Sequence, residues 1–223
     1  MPHDSKIRRI VVGSLLACVL PCGLAGCNIV APVVMIVEGP PKYEPQFKLS
    51  KDRPTLILVD DQVNVLPRPS LRITMSKQAQ TDLLKKGTLT KVIDCGSAYA
   101  VIARDREGTV TSLVDVAKTV EAEVIISVTI DSWGRSQGNE MQAECAFRVR
   151  VLDATKDKEP RIWPPVTMPE GARFKAIYKM PAGTEINTES QARIIQEELG
   201  KQTGRAIGQI FYEHEKKSSA LAF

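Results

Sequence analysis

Four aspartates stand where apolar runs end. Asp60 and Asp61 close "TLILVDDQV" (residues 55–63), Asp94 follows "TKVI", and Asp131 follows "VIISVTI". If those runs are strands of an open parallel sheet, the carboxylates fall at the strand ends, where such sheets bind their ligands. Oxygen ligands of this kind suit a hard cation, and a pair of acids suffices for glycoside hydrolysis. The plainer reading is that aspartate is a common turn former and a strand must end in something polar. Other chemistry is sparse, with no phosphate-cradling P-loop and no dinucleotide fingerprint. The two histidines lie at opposite ends, His3 at the start and His214 among Glu213, Glu215 and Lys216. A catalytic triad or a zinc site therefore lacks partners. Cys95 and Cys145 could form a disulfide in an oxidising compartment, although Cys145 equally fits a buried strand face as a small apolar residue.

The leader decides the compartment. Lys6, Arg8 and Arg9 form a basic start, Ile10 to Leu20 an apolar stretch, and Pro21 to Gly26 a small-residue, helix-breaking end, the layout of an export signal. The segment resembles a bacterial lipoprotein signal peptide, with Leu24, Ala25, Gly26 and Cys27 matching the lipobox. That resemblance implies cleavage before Cys27, which then carries diacylglycerol and an N-acyl chain. A spanning helix is the competing reading, because no charge occurs between Arg9 and Glu38. Pro21, Gly23 and Gly26 interrupt it. Cys18 and Cys22 are poorer acylation sites, the first inside the apolar stretch and the second after a proline. Asn28 is not the aspartate associated in enteric bacteria with inner-membrane retention, which by analogy implies an outer-membrane destination facing the periplasm.

Export also bears on "TLILVDDQV", which resembles the opening of response-regulator receiver domains. Asp105 in "VIARDREG" falls near the distance expected of a phosphorylated aspartate, but Arg104 and Arg106 flank it and no Lys-Pro strand end follows. The resemblance stops at the first strand.

The whole sequence carries 30 Lys and Arg against 26 Asp and Glu, with 5% aromatic residues. No basic stripe argues for nucleic acid. The organisation expected is a signal peptide at 1–26, a lipidated N-terminus and Pro-rich linker at 27–53, and a single α/β domain at 54–223. Residues 55–60 read as a buried strand. Leu71, Met75, Ala79 and Leu83 recur every four residues and predict a helix with Gly87 at its C-cap. A second strand is expected over 89–94, and 95–110 suits either a strand or a helical turn. Ser112 and Asp115 predict a capped helix start. Residues 124–130 and 143–151 read as strands, the second alternating, with shorter ones near 161–163 and 173–178. A long helix from about Thr188 to about Glu213 closes the chain, with Thr188 and Gln191 as a capping box and Ala192, Ile195, Leu199, Ala206 and Ile210 as its apolar stripe. The fold class expected is α/β: a mixed β-sheet with a β-α-β-α-β start, additional antiparallel strands and a long C-terminal helix.

Gly200, Gly204 and Gly208 line one face of that helix. Each costs up to about 1 kcal/mol against alanine, so something must approach closely: this domain's own packing, or a second copy.

The residues "LAGC" at 24–27, "TLILVD" at 55–60, "QAQTDLLKKG" at 78–87 and "VAKTVEAEVIISVTID" at 116–131 together resemble a group of envelope lipoproteins. The group includes the outer-membrane activators of peptidoglycan synthases and the curli secretion lipoprotein, and its domain is similar to the amino-terminal domain of the Tol-system periplasmic protein. The resemblance implies a non-enzymatic partner-binding or assembly factor, related to the cell wall or to secretion, with no catalytic residues and no cofactor beyond the acyl chains. Long amphipathic inserts like the pore-forming hairpins of the curli protein are not evident. A carboxylate-based metal binder or hydrolase using Asp60, Asp61, Asp94 and Asp131 is the alternative.

Overall fold

The computed structural model describes residues 41–104, 112–136, 139–156, 158–184 and 187–222. The chain divides into Met1–Lys42 and Tyr43–Phe223, and the elements below belong to the second unit. They are β1 Thr55–Asp60, α1 Ser70–Lys85, β2 Val92–Ile93, α2 Cys95–Arg104, α3 Leu113–Thr119, β3 Val124–Ser136, β4 Asn139–Asp153, β5 Arg161–Trp163, β6 Ala172–Lys179, α4 Glu189–Gln209 and β7 Leu221–Ala222.

The strands form one mixed sheet in the order β2-β1-β3-β4-β6-β7, with β5 also paired to β4. β1 runs parallel to β2 and β3, and β3 through β7 pair antiparallel along that path. This is the mixed α/β architecture read from the sequence. The apolar alternation explains its two layers, because successive strand side chains point to opposite faces. Ile57, Val59, Ile126, Val128, Phe147 and Val149 face α1 and α4 in the larger core, while Leu56, Leu58, Ile125 and Leu152 face α2 and α3 in a smaller one.

Several boundaries differ from expectation for identifiable reasons. Residues 95–104 are helical, and Ala98 is buried against the smaller core. The second strand shrinks to two residues because β1 pairs with it only at Thr55 and Leu56. The edge of β1 beyond that point is closed by a side chain: the Tyr99 hydroxyl donates to the Val59 carbonyl at 2.6 Å and accepts from its N–H at 3.2 Å. An open edge is an aggregation hazard, and one tyrosine removes it here. α4 stops at Gln209 because the chain turns back: the Gln209 side chain accepts from Ala220 N–H at 2.6 Å and donates to the Ser218 carbonyl at 3.0 Å, which brings β7 to the edge of β6. The stretch expected as linker also packs, with Phe47 and Leu49 against the larger core and Gln46 N–H bonded to Ile210 O at 2.8 Å.

Helix ends follow the sequence more closely. Ser112 with Asp115, and Thr188 with Gln191, form full capping boxes on α3 and α4. Gly87 ends α1 at φ +64°, a left-handed position that glycine occupies without steric cost.

The glycine face of α4 lies on α1. A Cβ at Gly204 would stand 2.5 Å from the Met75 carbonyl oxygen and 2.6 Å from Gln78 Cβ, and one at Gly200 would stand 3.3 Å from Leu71 Cδ2. At Gly208 the nearest atom would be Asp82 Cβ at 3.4 Å, ordinary contact. The face offered for self-association is thus filled by this domain's own helix.

At the other end of the sheet Arg53 ties three segments together. Its guanidinium donates to both Asp153 carboxylate oxygens, at 3.1 and 2.6 Å, and to Glu123 at 2.8 Å. Asp153 is held well below the usual carboxylate range, first by Arg53 and then, against the opposing effect of burial, by Thr155.

Two predictions follow from this packing. Gly204→Ala lowers stability by about 1–3 kcal/mol through overpacking against backbone, whereas Gly208→Ala raises it by up to about 1 kcal/mol through helix propensity; urea unfolding of both variants checks the contrast. Because the folded-state pKa of Asp153 is depressed, its contribution is complete above the unfolded carboxylate pKa and is lost as pH falls below about 4. Thermal melts between neutral and acid pH therefore show a steeper decline for wild type than for Asp153→Asn, which costs about 2–3 kcal/mol at neutral pH.

Candidate functional site

The strand-end aspartates do not converge. Leu56 is in register with Ile93, so Asp94 stands level with Ile57, while Asp60 pairs with Thr129. Three residues of stagger separate Asp94 from Asp60 by about 10 Å along the strands. β3 runs on past β1, leaving Asp131 within a strand, where its carboxylate accepts from Arg148 Nε at 2.7 Å. Asp61 is engaged by backbone: its two oxygens accept from Val65 N–H and Leu66 N–H, both at 2.9 Å. Asp94 is exposed beside the start of α2. Among the described residues no group of three or more His, Cys, Asp or Glu is placed to hold a metal ion.

Cys95 and Cys145 are free and buried, the second of the two readings that the sequence left open. Cys95 opens α2 beside the outer strand β2, whereas Cys145 lies on β4, three strands across. Three inter-strand spacings come to roughly 14 Å, twice the reach of a disulfide. Burial pushes the Cys145 thiol up to about 12, with Thr203 of α4 opposing. Burial, with Asp94 adding, also raises the Cys95 thiol. Neither is a reactive thiolate. His214 is buried as well, its ring nitrogens 3.1 Å from the Tyr212 carbonyl and 3.1 Å from Ser219 Oγ. Leu24, Ala25, Gly26 and Cys27 lie outside the described residues, as does Asp105.

What the fold does build is a cleft of about 350 Å³ beyond the carboxyl end of β1. One wall is the first half of α4, through Ala192, Ile195 and Leu199; the floor is the sheet, through Trp133 and Ala143; Val65 and Pro67 close the side. Its size lies at the lower end of small-ligand pockets. Asp61 shapes that side, because its two backbone bonds fold the 61–66 loop toward α4. Arg68 fastens the next residues to α4, donating Nε to Gln196 Oε1 at 3.2 Å, and Thr74 Oγ1 donates to Glu197 at 3.0 Å. The polar side chains lining the cleft are Arg135 and Gln196, and no acidic residue lines it. Arg135 is exposed and makes no hydrogen bond or ion pair among the described residues.

The α4 stripe was legible as an apolar face. Trp133, Arg135, Met180 and the 65–67 loop were not read as one site, because they converge from segments distant in sequence. Alternation continued past Ile130 would put Ser132 and Gly134 on the α4 side of β3; the register shift at Asp131 reverses it and turns Trp133 and Arg135 to that side instead. Trp163 takes the structural role instead, packing on Phe47, Phe174 and Phe211 at centroid distances of 6.0 to 6.3 Å.

No protein-family model and no curated protein matches this chain. Among solved structures it is similar to the hypothetical protein CT253 from Chlamydia trachomatis, at 15% identity over 72% of this chain and 98% of that one, with a TM-score of 0.41. It is also similar to a PelC dodecamer chain from Paraburkholderia phytofirmans, at 9% identity over 77% and 96%, TM-score 0.41. A third likeness is lipoprotein GNA1162 from Neisseria meningitidis, at 9% identity over 68% and 97%, TM-score 0.38. No function is carried over from any of them. Among the described residues no helix is long and apolar enough to cross a membrane.

Proposed function

We propose that this chain is a non-enzymatic cell-envelope protein, tethered by acyl chains on Cys27, that docks a protein partner in the cleft between α4 and the sheet. The observation that carries the docking half is the character of the cleft, which among the described residues has apolar walls, no carboxylate, and Arg135 at its mouth without a partner. A partner segment that inserts one large apolar side chain and sets an acidic group against Arg135 matches it. Burying such a side chain contributes about 1.5–3 kcal/mol, and the arginine fixes its orientation. The tether half rests on the lipobox residues Leu24, Ala25, Gly26 and Cys27. The engagement of Asp61 with the loop backbone and of Asp131 with Arg148 favours docking over cation chemistry at the strand ends.

In cells, Cys27→Ser abolishes palmitate incorporation and membrane association, whereas Cys22→Ser leaves both intact. A photoreactive residue at Ile195 yields a discrete crosslinked envelope protein by mass spectrometry, while one at Ser97, on the opposite helical layer, yields none. Trp133→Ala weakens recovery of that partner by about tenfold or more, as removal of a central aromatic anchor does. An Ile195 position that captures no protein contradicts the docking reading.

A further inference from the structure

The second face of the sheet holds an arrangement that the docking cleft does not use. On β4, Arg148 and Arg150 alternate with the buried Phe147, Val149 and Val151, so both guanidinium groups project to the α2 and α3 side. That side is only partly roofed, because the smaller core ends at Leu58, Ile125 and Leu152.

The neighbouring arginines are satisfied. Arg148 donates to Asp131 at 2.7 Å and to Glu170 at 3.2 Å, and Arg173 shares Glu170 at 2.6 Å. Arg161 spends its terminal nitrogens on the Met168 and Pro169 carbonyls, holding the loop that precedes β6. Arg150 stands between them, half-buried, with no hydrogen bond or ion pair among the described residues. Its stem is hemmed in: a Cβ on Gly171, which sits at φ +112°, would lie 3.0 Å from Arg150 Cγ. Burial and the positive charges of Arg161 and Arg148 all press against its cationic form, with Asp60 the opposing attraction. Asp60 makes no hydrogen bond to it.

Directly opposite on β3, Ser127 pairs in register with Arg150 and Thr129 with Arg148. Both side chains face the same way, are only 4% and 7% exposed, and have hydroxyls with no partner among the described residues. A partly desolvated cation flanked by two like charges stands beside two hydroxyls that no other described residue engages, and Asp60, in register with Thr129, is the one opposing charge. A bound oxyanion resolves all of it together: the planar guanidinium presents paired N–H donors and the hydroxyls supply the rest.

We infer that Arg150, Ser127 and Thr129 form a binding site for a phosphate-type oxyanion on the sheet face opposite the cleft. The source is free phosphate or a phosphomonoester group of a larger molecule, recognised by the same chemistry.

Calorimetric titration of the full chain in non-ionic detergent with sodium phosphate, against sodium chloride at matched ionic strength, tests the site. Wild type gives saturable heat and a phosphate-dependent rise in melting temperature. Arg150→Gln binds about tenfold more weakly or worse, as expected when a charge-assisted bond is removed, and melts higher than wild type without phosphate because the like-charge contact is gone. Thr129→Val binds more weakly without that gain. Glycerol 3-phosphate in place of phosphate identifies the source: tighter binding assigns a phosphomonoester, weaker binding assigns the free ion. Absence of a phosphate-dependent shift in wild type, or an equal shift in Arg150→Gln, overturns the inference.

Discussion

The approach of α4 to α1 at Gly204 sets the geometry of the larger layer. With the position of a Cβ only 2.5 Å from the Met75 carbonyl, any side chain there would push the helices apart. Both helices bury their apolar faces in the same core, through Leu71, Met75 and Ala79 on one and Leu199, Ala206 and Ile207 on the other. Their separation therefore fixes how α4 sits over β4 and β6, and hence the width of the cleft where Ile195 and Leu199 face Trp133 and Ala143. The helix-propensity cost of three glycines is small beside the core burial that close packing permits.

The two faces of the sheet are solved differently. On the α1 and α4 side the strands bury an unbroken apolar surface, and the two thiols and His214 are absorbed as structural groups. On the α2 and α3 side two short helices cover the parallel strands and the Leu152 end of β4, so the rest of β4 and β6 carry arginines, lysines and acids in the open part of their alternation. Tyr99 closes one sheet edge by bonding both backbone groups of Val59, and a two-residue β7 lies on the other.

Local patterns made much of this legible. The four-residue recurrence in α1, the capping boxes at Ser112 and Thr188, and the alternation of β4 each follow from residues within one element, and each appears in the structure. The glycine spacing also signalled a close approach, though not which surface makes it, since α1 lies more than a hundred positions earlier. The aspartate rim misled because sequence shows where runs end but not their register: the stagger of β2 against β1 and the length of β3 disperse the carboxylates. The cleft was illegible for the same reason, being assembled from the 65–67 loop, β3, β4 and α4. Arg150 looked like one more polar position on an alternating strand until its neighbours' partners were known.

The central claim is that the α1–α4 spacing shapes a partner-binding cleft. It is tested most directly by measuring photocrosslinking yield from Ile195 in cells carrying Gly204→Ala or Gly208→Ala, at a temperature where both variants are folded. The account predicts that Gly204→Ala, which forces the helices apart, loses the crosslinked product, while Gly208→Ala, which a methyl group fits, keeps wild-type yield. Equal yields from the two variants would contradict it.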